Sequence, residues 1–307
     1  MNTFHIKVKD DNKERLDSFV AENLEKVSRS YVKKIIGEKL VFVNGKLMKP
    51  SYIVKKGDLI EINIPEVKKI KAIPENIPLD VIYEDKDIVI VNKPQGMVVH
   101  PGVDNTSGTL VNSLLYHIET LSDINKDIRP GIVHRIDKDT SGILVVAKNN
   151  KTHKFLSSQF KTRKVKRVYL VLVHGIVEKD KGKIEAAIGR NKNNRMKMNI
   201  KDDNGRDAIS YFKVLHRFNK YTLLEVSLET GRTHQIRVHM KHLKHPVVGD
   251  PLYSDKKNNF SLKKQMLHAY KLGFIHPSKK EYVEFTANPP NYFSKIIDKL
   301  KRINNIT

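Results

Sequence analysis

Two short stretches hold the residues whose types and spacing could do chemistry. In PGIVHRIDKDTSG, residues 130–142, five ionisable groups (His134, Arg135, Asp137, Lys138, Asp139) follow the apolar pair Ile132-Val133 and precede a second apolar run, ILVVA. In LETGRTHQIRVHM, residues 228–240, Arg232 follows Gly231 directly and Arg237 comes five positions later. A carboxylate between two buried strands loses hydration unless a partner keeps it ionised. A guanidinium in contact would lower its pKa and fix its orientation. A carboxylate held charged in a cleft can attack a substrate or remove a proton from it. A buried Asp–Arg pair serving structure alone reads the same on spacing, since desolvation offsets much of the attraction.

The elements around these stretches must position them. DIVIVNKP (87–94), GILVVA (142–147), VYLVLV (168–173) and the alternation Leu224, Val226, Leu228 read as strands. LVNSLLYHI (110–118), HKFLSSQF (153–160), HQIRVHMKHL and the tail YFSKIIDKLKR have helical spacing. Strands and helices mix without a regular βαβ alternation, which predicts an α+β fold rather than a doubly wound sheet. Ahead of them Phe4, Ile6 and Val8 alternate, then Leu16, Phe19, Val20 and Leu24 follow helical spacing. A second helix is expected from Arg29 to Glu38 with Ser28 as N-cap. Val41, Val43 and the turn Asn44-Gly45 make a hairpin, and Ile60, Ile62 and Ile64 a closing strand. PEVKKIKAIPENIPL, with three prolines and no clean period, reads as a linker. The expected division is 1–68, linker 69–79, and 80–307.

Composition narrows the partners. The 307 residues carry 57 basic and 34 acidic side chains, a formal charge of +23 that suits a polyanion such as RNA or DNA. Lys supplies most of the basic charge, so Arg129, Arg135, Arg163, Arg167, Arg190, Arg195, Arg232 and Arg237 stand out mid-chain. The absence of Cys excludes thiol nucleophiles, disulfides and cysteine-bound zinc, and fits the cytoplasm. No signal peptide, membrane-length apolar run, GxGxxG or Walker loop is present. A monomer is the default.

Two resemblances cover nearly the whole chain. The helix–helix–hairpin order resembles the S4 RNA-binding domain, carried by Arg15-Leu16-Asp17, SRS at 28–30, VFVNGK at 41–46 and GD at 57–58. It implies that the face bearing Arg29, Lys33 and Lys34 meets an RNA backbone; a solvated basic helix face is the plain alternative. RPGIVHRIDKDTSG resembles the signature of the RluA-type pseudouridine synthases, and its large-subunit synthase D branch in particular. NKPQGMVVHP, QFKTRKVKRVYLVLVHG, IGRNKNNRMKM, LETGRTHQIRVHM, HPVVGDPLY, LHA at 267–269 and FTANPP follow in that family's order.

The resemblance implies a pseudouridine synthase fold, a mixed and mainly antiparallel sheet flanked by helices and loops, behind the S4 domain. It implies isomerisation of uridines in large-subunit ribosomal RNA with neither cofactor nor metal. Asp137 would be the catalytic aspartate, attacking or acting as base, and Asp139 a turn residue. Arg232 would hold Asp137 ionised, Tyr169 would lie against the uracil, and Arg135 would flip the base. His134 would support the loop, and Ile136 and Leu267 would wall the pocket. Two rivals remain: a non-catalytic S4-type RNA-binding protein, and a metal-dependent phosphodiesterase using His100, His134, His234 and His239 with Asp137.

Overall fold

The alternating isoleucines of the N-terminal region set its sheet. In the computed structural model, which describes residues 1–11, 13–24, 27–65, 71–102, 105–201, 203–257 and 260–304, the chain divides into two units, Met1–Lys69 and Ile70–Thr307. The first comprises β1 (Asn2–Lys7), α1 (Leu16–Asn23), α2 (Arg29–Gly37), β2 (Val41–Val43), β3 (Lys46–Leu47) and β4 (Leu59–Ile64). Its strands run antiparallel in the order β1-β4-β2-β3. Ile60 and Ile62 of β4 face inward with Val41 and Val43 and meet Leu16, Val20, Val32 and Ile35 of the helices. Ser28 caps α2 by accepting the Tyr31 N–H at 3.3 Å. Asn44 (φ 50°) and Gly45 (φ 75°) are both left-handed, as a two-residue hairpin turn requires.

The first turn of α1 carries a fully buried carboxylate, Asp17. Arg15 Nε donates to it at 3.0 Å and Arg29 Nε at 3.1 Å, with Lys33 Nζ 3.5 Å away. Burial alone would raise its pKa; the hydrogen bonds from Arg15 and Arg29 outweigh that and hold it well below the usual carboxylate range.

The second unit comprises β5 (Val81–Glu84), β6 (Ile88–Lys93), α3 (Leu110–His117), β7 (Ser141–Ala147), α4 (Asn150–Lys161), β8 (Lys166–His174), β9 (Lys181–Glu185), β10 (Ile188–Arg190), β11 (Met198–Ile200), β12 (Ile209–Phe218), β13 (Tyr221–Leu228), α5 (Gln235–His242), β14 (Leu267–Ile275), β15 (Tyr282–Thr286) and α6 (Asn291–Ile303). Its large sheet has the order β5-β6-β7-β14-β8-β13-β12-β9, with β15 on the outer half of β14, while β10 and β11 pair separately. Among the described residues every pairing in it is antiparallel except β7 with β14. This is the expected α+β architecture.

The parallel pair positions the site. It sets Ser141 and Gly142 beside His268 and Ala269, so the charged loop entering β7 arrives next to Leu267. Gly142 has φ +118°, and a Cβ there would stand 2.2 Å from the Ala269 carbonyl oxygen. A side chain would push β14 away from β7.

The expected linker is in part a strap on the second unit. The boundary expected at 68/69 falls in residues 66–70, outside the described residues. Beyond it, the Ala72 N–H donates to the Asp127 carbonyl at 2.7 Å and the Glu75 N–H to that of Asn112 at 3.0 Å. Asn112 Nδ2 and Ser113 Oγ donate to the carbonyls of Ile73 and Ile77 at 2.8 and 2.7 Å. Prolines at 74 and 78 deny the segment a regular ladder, and α3 side chains supply partners instead.

Replacing Asp17 by Asn leaves three cations around a neutral amide. Breaking a buried ion pair costs several kcal/mol, but these cations are half exposed and screened, so about 2 kcal/mol is expected. Hydrogen exchange of the β4 amides in the full chain measures it. Because the folded pKa is depressed, Asp17's contribution is full above about pH 4, its unfolded value, and disappears as pH falls further.

Candidate active site

The loop 130–140, β8, the segment 228–237 and the start of β14 surround a cavity of about 490 Å³. Ile136, Asp137, Arg167, Tyr169, Arg237 and Leu267 are among its walls. Asp137 Oδ2 accepts from Arg237 Nη1 at 3.1 Å, with Arg237 5 % and Asp137 22 % exposed. The carboxylate is thus reachable from the cavity while its cation is sealed behind it. Among the described residues, Oδ1 of Asp137 accepts no protein hydrogen bond.

Arg237, not Arg232, is the guanidinium that meets Asp137. The resemblance had implied Arg232 for that place. Gly231 has no positive φ; the left-handed residue is His234, at φ 57°, immediately before α5. The chain therefore reverses after Arg232, whose Nε donates to the Asp207 carbonyl at 2.9 Å on the cavity wall. Arg237 is carried inward on the first turn of α5. Gln235 clamps that turn: its Oε1 accepts from the Arg232 N–H and Thr230 Oγ1 at 2.9 and 2.8 Å, and its Nε2 donates to the Ile209 carbonyl and Ser210 Oγ, each at 3.0 Å.

Asp250, absent from the sequence expectations as a site residue, completes the electrostatics. Arg237 Nε and Nη2 donate to its two oxygens at 2.7 and 2.9 Å. Burial opposes the Arg237 charge, but the Asp250 and Asp137 contacts outweigh it and raise the guanidinium pKa further. Tyr253 lies beneath, with its ring centroid 5.0 Å from the guanidinium carbon.

Tyr169 and Arg167 alternate on one face of β8, and both reach the cavity. Burial pushes the Tyr169 phenol up to about 12; Arg167 opposes this and the Asp137 charge adds to it. The ring is neutral and available for a flat contact. Arg167 Nη2 donates to the carbonyls of Leu228 and Glu229, tying β8 to the loop that leads to α5.

His134 ties the loop to β7. Its Nε2 accepts the Val145 N–H at 3.0 Å, which leaves the proton on Nδ1, and its ring stacks on Phe160 at 4.5 Å. Burial pushes its pKa down to about 3. Arg135 is exposed at the cavity wall. Ile136 and Leu267 are buried, 5 % and 3 % exposed, and line the cavity. In the first unit, Arg29 and Lys33 serve Asp17 and Lys34 Nζ lies 3.7 Å from Glu38, yet each side chain stays at least half exposed.

The histidine–metal alternative does not assemble. His239 is fully buried, with Nδ1 on Ser210 Oγ and Nε2 on the Ala186 carbonyl. His234 Nδ1 bonds Tyr253 Oη at 2.8 Å. Among the described residues the one group with metal-ligand spacing is Asp85, Asp87 and His276, which includes none of the five proposed ligands.

A second residue not foreseen is Lys93, fully buried at the end of β6. Its Nζ donates to the carbonyls of Pro94, Met97 and Lys138 at 2.9, 2.8 and 3.0 Å. Gln95 Nε2 donates to the Asp139 carbonyl at 3.1 Å, and the Gly96 N–H to that of Lys138 at 2.9 Å. The NKPQG segment therefore grips the backbone immediately after Asp137. Burial pushes the Lys93 ammonium down to about 7, while Asp137 and Asp139 hold it up.

A reachable carboxylate, a sealed guanidinium and a buried phenol around one cavity, behind a separate basic unit, agree with what similarity finds. The family described as RNA pseudouridylate synthase matches residues 87–242, and the S4 domain matches 14–60. The chain is 45 % identical to the uncharacterized RNA pseudouridine synthase YlyB of Bacillus subtilis, over 98 % of this chain and 99 % of that one. It is 42 % identical to ribosomal large subunit pseudouridine synthase D of Neisseria meningitidis serogroup A, over 94 % and 79 %. The solved human RNA pseudouridylate synthase domain containing 1 is 29 % identical and superposes with a TM-score of 0.58, covering 70 % of this chain and 85 % of that one. The chain belongs to the RNA pseudouridylate synthase family. It is an RNA pseudouridine synthase with an S4 domain ahead of its catalytic domain.

Lys93→Met removes the donor to three carbonyls. The Pro94 and Met97 carbonyls lose this partner while that of Lys138 keeps the Gly96 N–H; each orphaned group costs about 1 kcal/mol or more, partly offset by relief of a buried charge, so a net loss of about 1 kcal/mol is expected in thermal unfolding. Loosening the hold on the Lys138 carbonyl beside Asp137 should lower kcat about tenfold with KM little changed, as steady-state assays would read.

Proposed function

We propose that this synthase converts uridines of large-subunit ribosomal RNA to pseudouridine, with Asp137 as the reacting carboxylate. The observation that carries the reading is the Asp137–Arg237 pair: a half-freed carboxylate held by a buried guanidinium at the wall of a cavity large enough for a nucleotide. The N1–C1′ bond of uridine breaks, the uracil turns, C5 bonds to C1′, and C5 gives up its proton while N1 gains one. No electron or group is exchanged with another molecule, so no cofactor or metal is required. Asp137 attacks the sugar, or takes a proton from it, as the base departs.

The remaining residues serve that step. Tyr169 offers its ring to the extruded uracil. Arg135, exposed beside Asp137, fills the gap left in the stack, whose opening costs a few kcal/mol. Ile136 and Leu267 exclude water and so strengthen the ion pair, and His134 holds the loop. Arg29 and Lys33, aimed by Asp17, and Lys34 beside them bind phosphates. Support for the ribosomal substrate comes from the relatives named for the large subunit and from the +23 charge. The protein acts as a cytoplasmic monomer.

Asp137→Asn should abolish tritium release from C5-labelled uridine RNA while RNA affinity stays within about threefold, since the carboxylate adds nothing to phosphate binding; turnover near wild type would remove Asp137 from its role. Filter binding across a salt series should lose affinity steeply. Arg237→Lys should be severely slowed, because the fork is lost, whereas Arg232→Lys should cost about threefold or less; the same release assay ranks them.

A further inference from the structure

We propose that Asp250 is a positioning residue that keeps the Arg237 guanidinium from closing on Asp137. This rests on the reading of Asp137 as the reacting carboxylate.

Arg237 stands between two acids and treats them unequally. The two-pronged contact, Nε and Nη2 at 2.7 and 2.9 Å, goes to Asp250, and only Nη1, at 3.1 Å, reaches Asp137. A guanidinium facing one carboxylate prefers the parallel two-pronged arrangement. Without Asp250, the Arg237 fork would be free to take both oxygens of Asp137. That would occupy Oδ1, the oxygen left without a protein partner, and tie up the electron pair needed for attack or proton removal.

The surroundings hold Asp250 in this task. It is 2 % exposed. Its Oδ1 also accepts the N–H groups of Leu252 and Tyr253 at 2.9 and 3.1 Å, so the carboxylate cannot swing away. Gly249 before it has φ +76°, and a Cβ there would stand 2.3 Å from the Lys264 carbonyl oxygen. Tyr253 closes the face of the guanidinium at 5.0 Å. One cation shared by two anions leaves the group with net negative charge, centred on the more accessible of the two carboxylates, Asp137.

The test compares kcat, KM and thermal unfolding of the full-length chain for Asp250→Asn, Asp250→Glu, Arg237→Lys and the double variant Asp250→Asn/Arg237→Lys, with Asp137→Asn alongside. Asp250→Asn retains Oδ1 for the two turn N–H groups and presents an amide to Nε. Expected are a kcat at least tenfold lower with KM within twofold, partial recovery in Asp250→Glu, and a double variant no slower than Arg237→Lys, which has no fork to misplace. Should Asp250→Asn not fold, Asp250→Ser, whose hydroxyl can cap the same turn, takes its place with the same expectations. The proposal is overturned by wild-type kcat in the folded variant, by equal losses in Asp250→Glu and Asp250→Asn, or by losses that multiply in the double variant. Retained activity in Asp137→Asn would instead overturn the underlying reading, whatever Asp250 does.

Discussion

The proposed chemistry of this synthase turns on one carboxylate held by a guanidinium where water is scarce. Bulk water would hydrate such a group but would also compete with the departing base for the sugar carbon. A sealed apolar pocket would exclude that water and push the carboxyl toward its neutral form. The structure takes a middle course. Asp137 remains partly exposed, and its cation is almost wholly buried. Hydration is replaced by a guanidinium whose own burial is compensated by Asp250. A buried ion pair adds little to stability once desolvation is counted, so its presence here is better understood through reactivity.

Orientation needs as much support as charge. Asp137 sits on a loop, and loops wander unless their backbone groups are held. Three anchors converge: Lys93 and Gly96 on the Lys138 carbonyl, Gln95 on that of Asp139, and the Thr140 N–H on that of Asp137 itself. On the opposite wall, Gln235 locks the start of α5 and so the base of Arg237. The strands behind are joined by the close β7–β14 approach that Gly142 permits. The Asp137 carboxylate therefore inherits the rigidity of the large sheet through hydrogen bonds, although it lies outside any strand.

Much of this was legible in the sequence, and what was not has a physical cause. Alternation announced β4 and β13, continuous apolar runs announced β6 and β7, and the capping serine announced α2. β12 and β14 were unreadable because their inward and outward faces mix polar and apolar residues; His268 is fully buried and bonds Ser141 and the Ala287 carbonyl. Asp137, Tyr169, Ile136 and Leu267 reach one cavity. The residues alone left Arg232 and Arg237 both open and the resemblance pointed to Arg232, yet the left-handed conformation that turns the chain falls on His234. Sequence spacing names both arginines; only the chain reversal decides which points inward. Lys93 and Asp250 act through contacts 45 and 13 residues away, separations that carry no local periodicity.

The two units use opposite charge stoichiometries for one physical purpose. In the S4 unit a single buried acid, Asp17, gathers Arg15, Arg29 and Lys33, leaving an excess of positive charge with its outer parts exposed. In the catalytic unit a single buried base, Arg237, gathers two acids, Asp137 and Asp250, at a cavity whose other walls carry Arg135, Lys161, Arg163, Arg167 and Arg232. In each case the buried member is outnumbered, so the cluster cannot neutralise itself. The surplus sign is the one its task needs: cations for a phosphate backbone, an anion for an electron-poor sugar carbon. A chain of net charge +23 attracts RNA everywhere, but only an outnumbered arginine lets it keep a reactive negative charge amid that field.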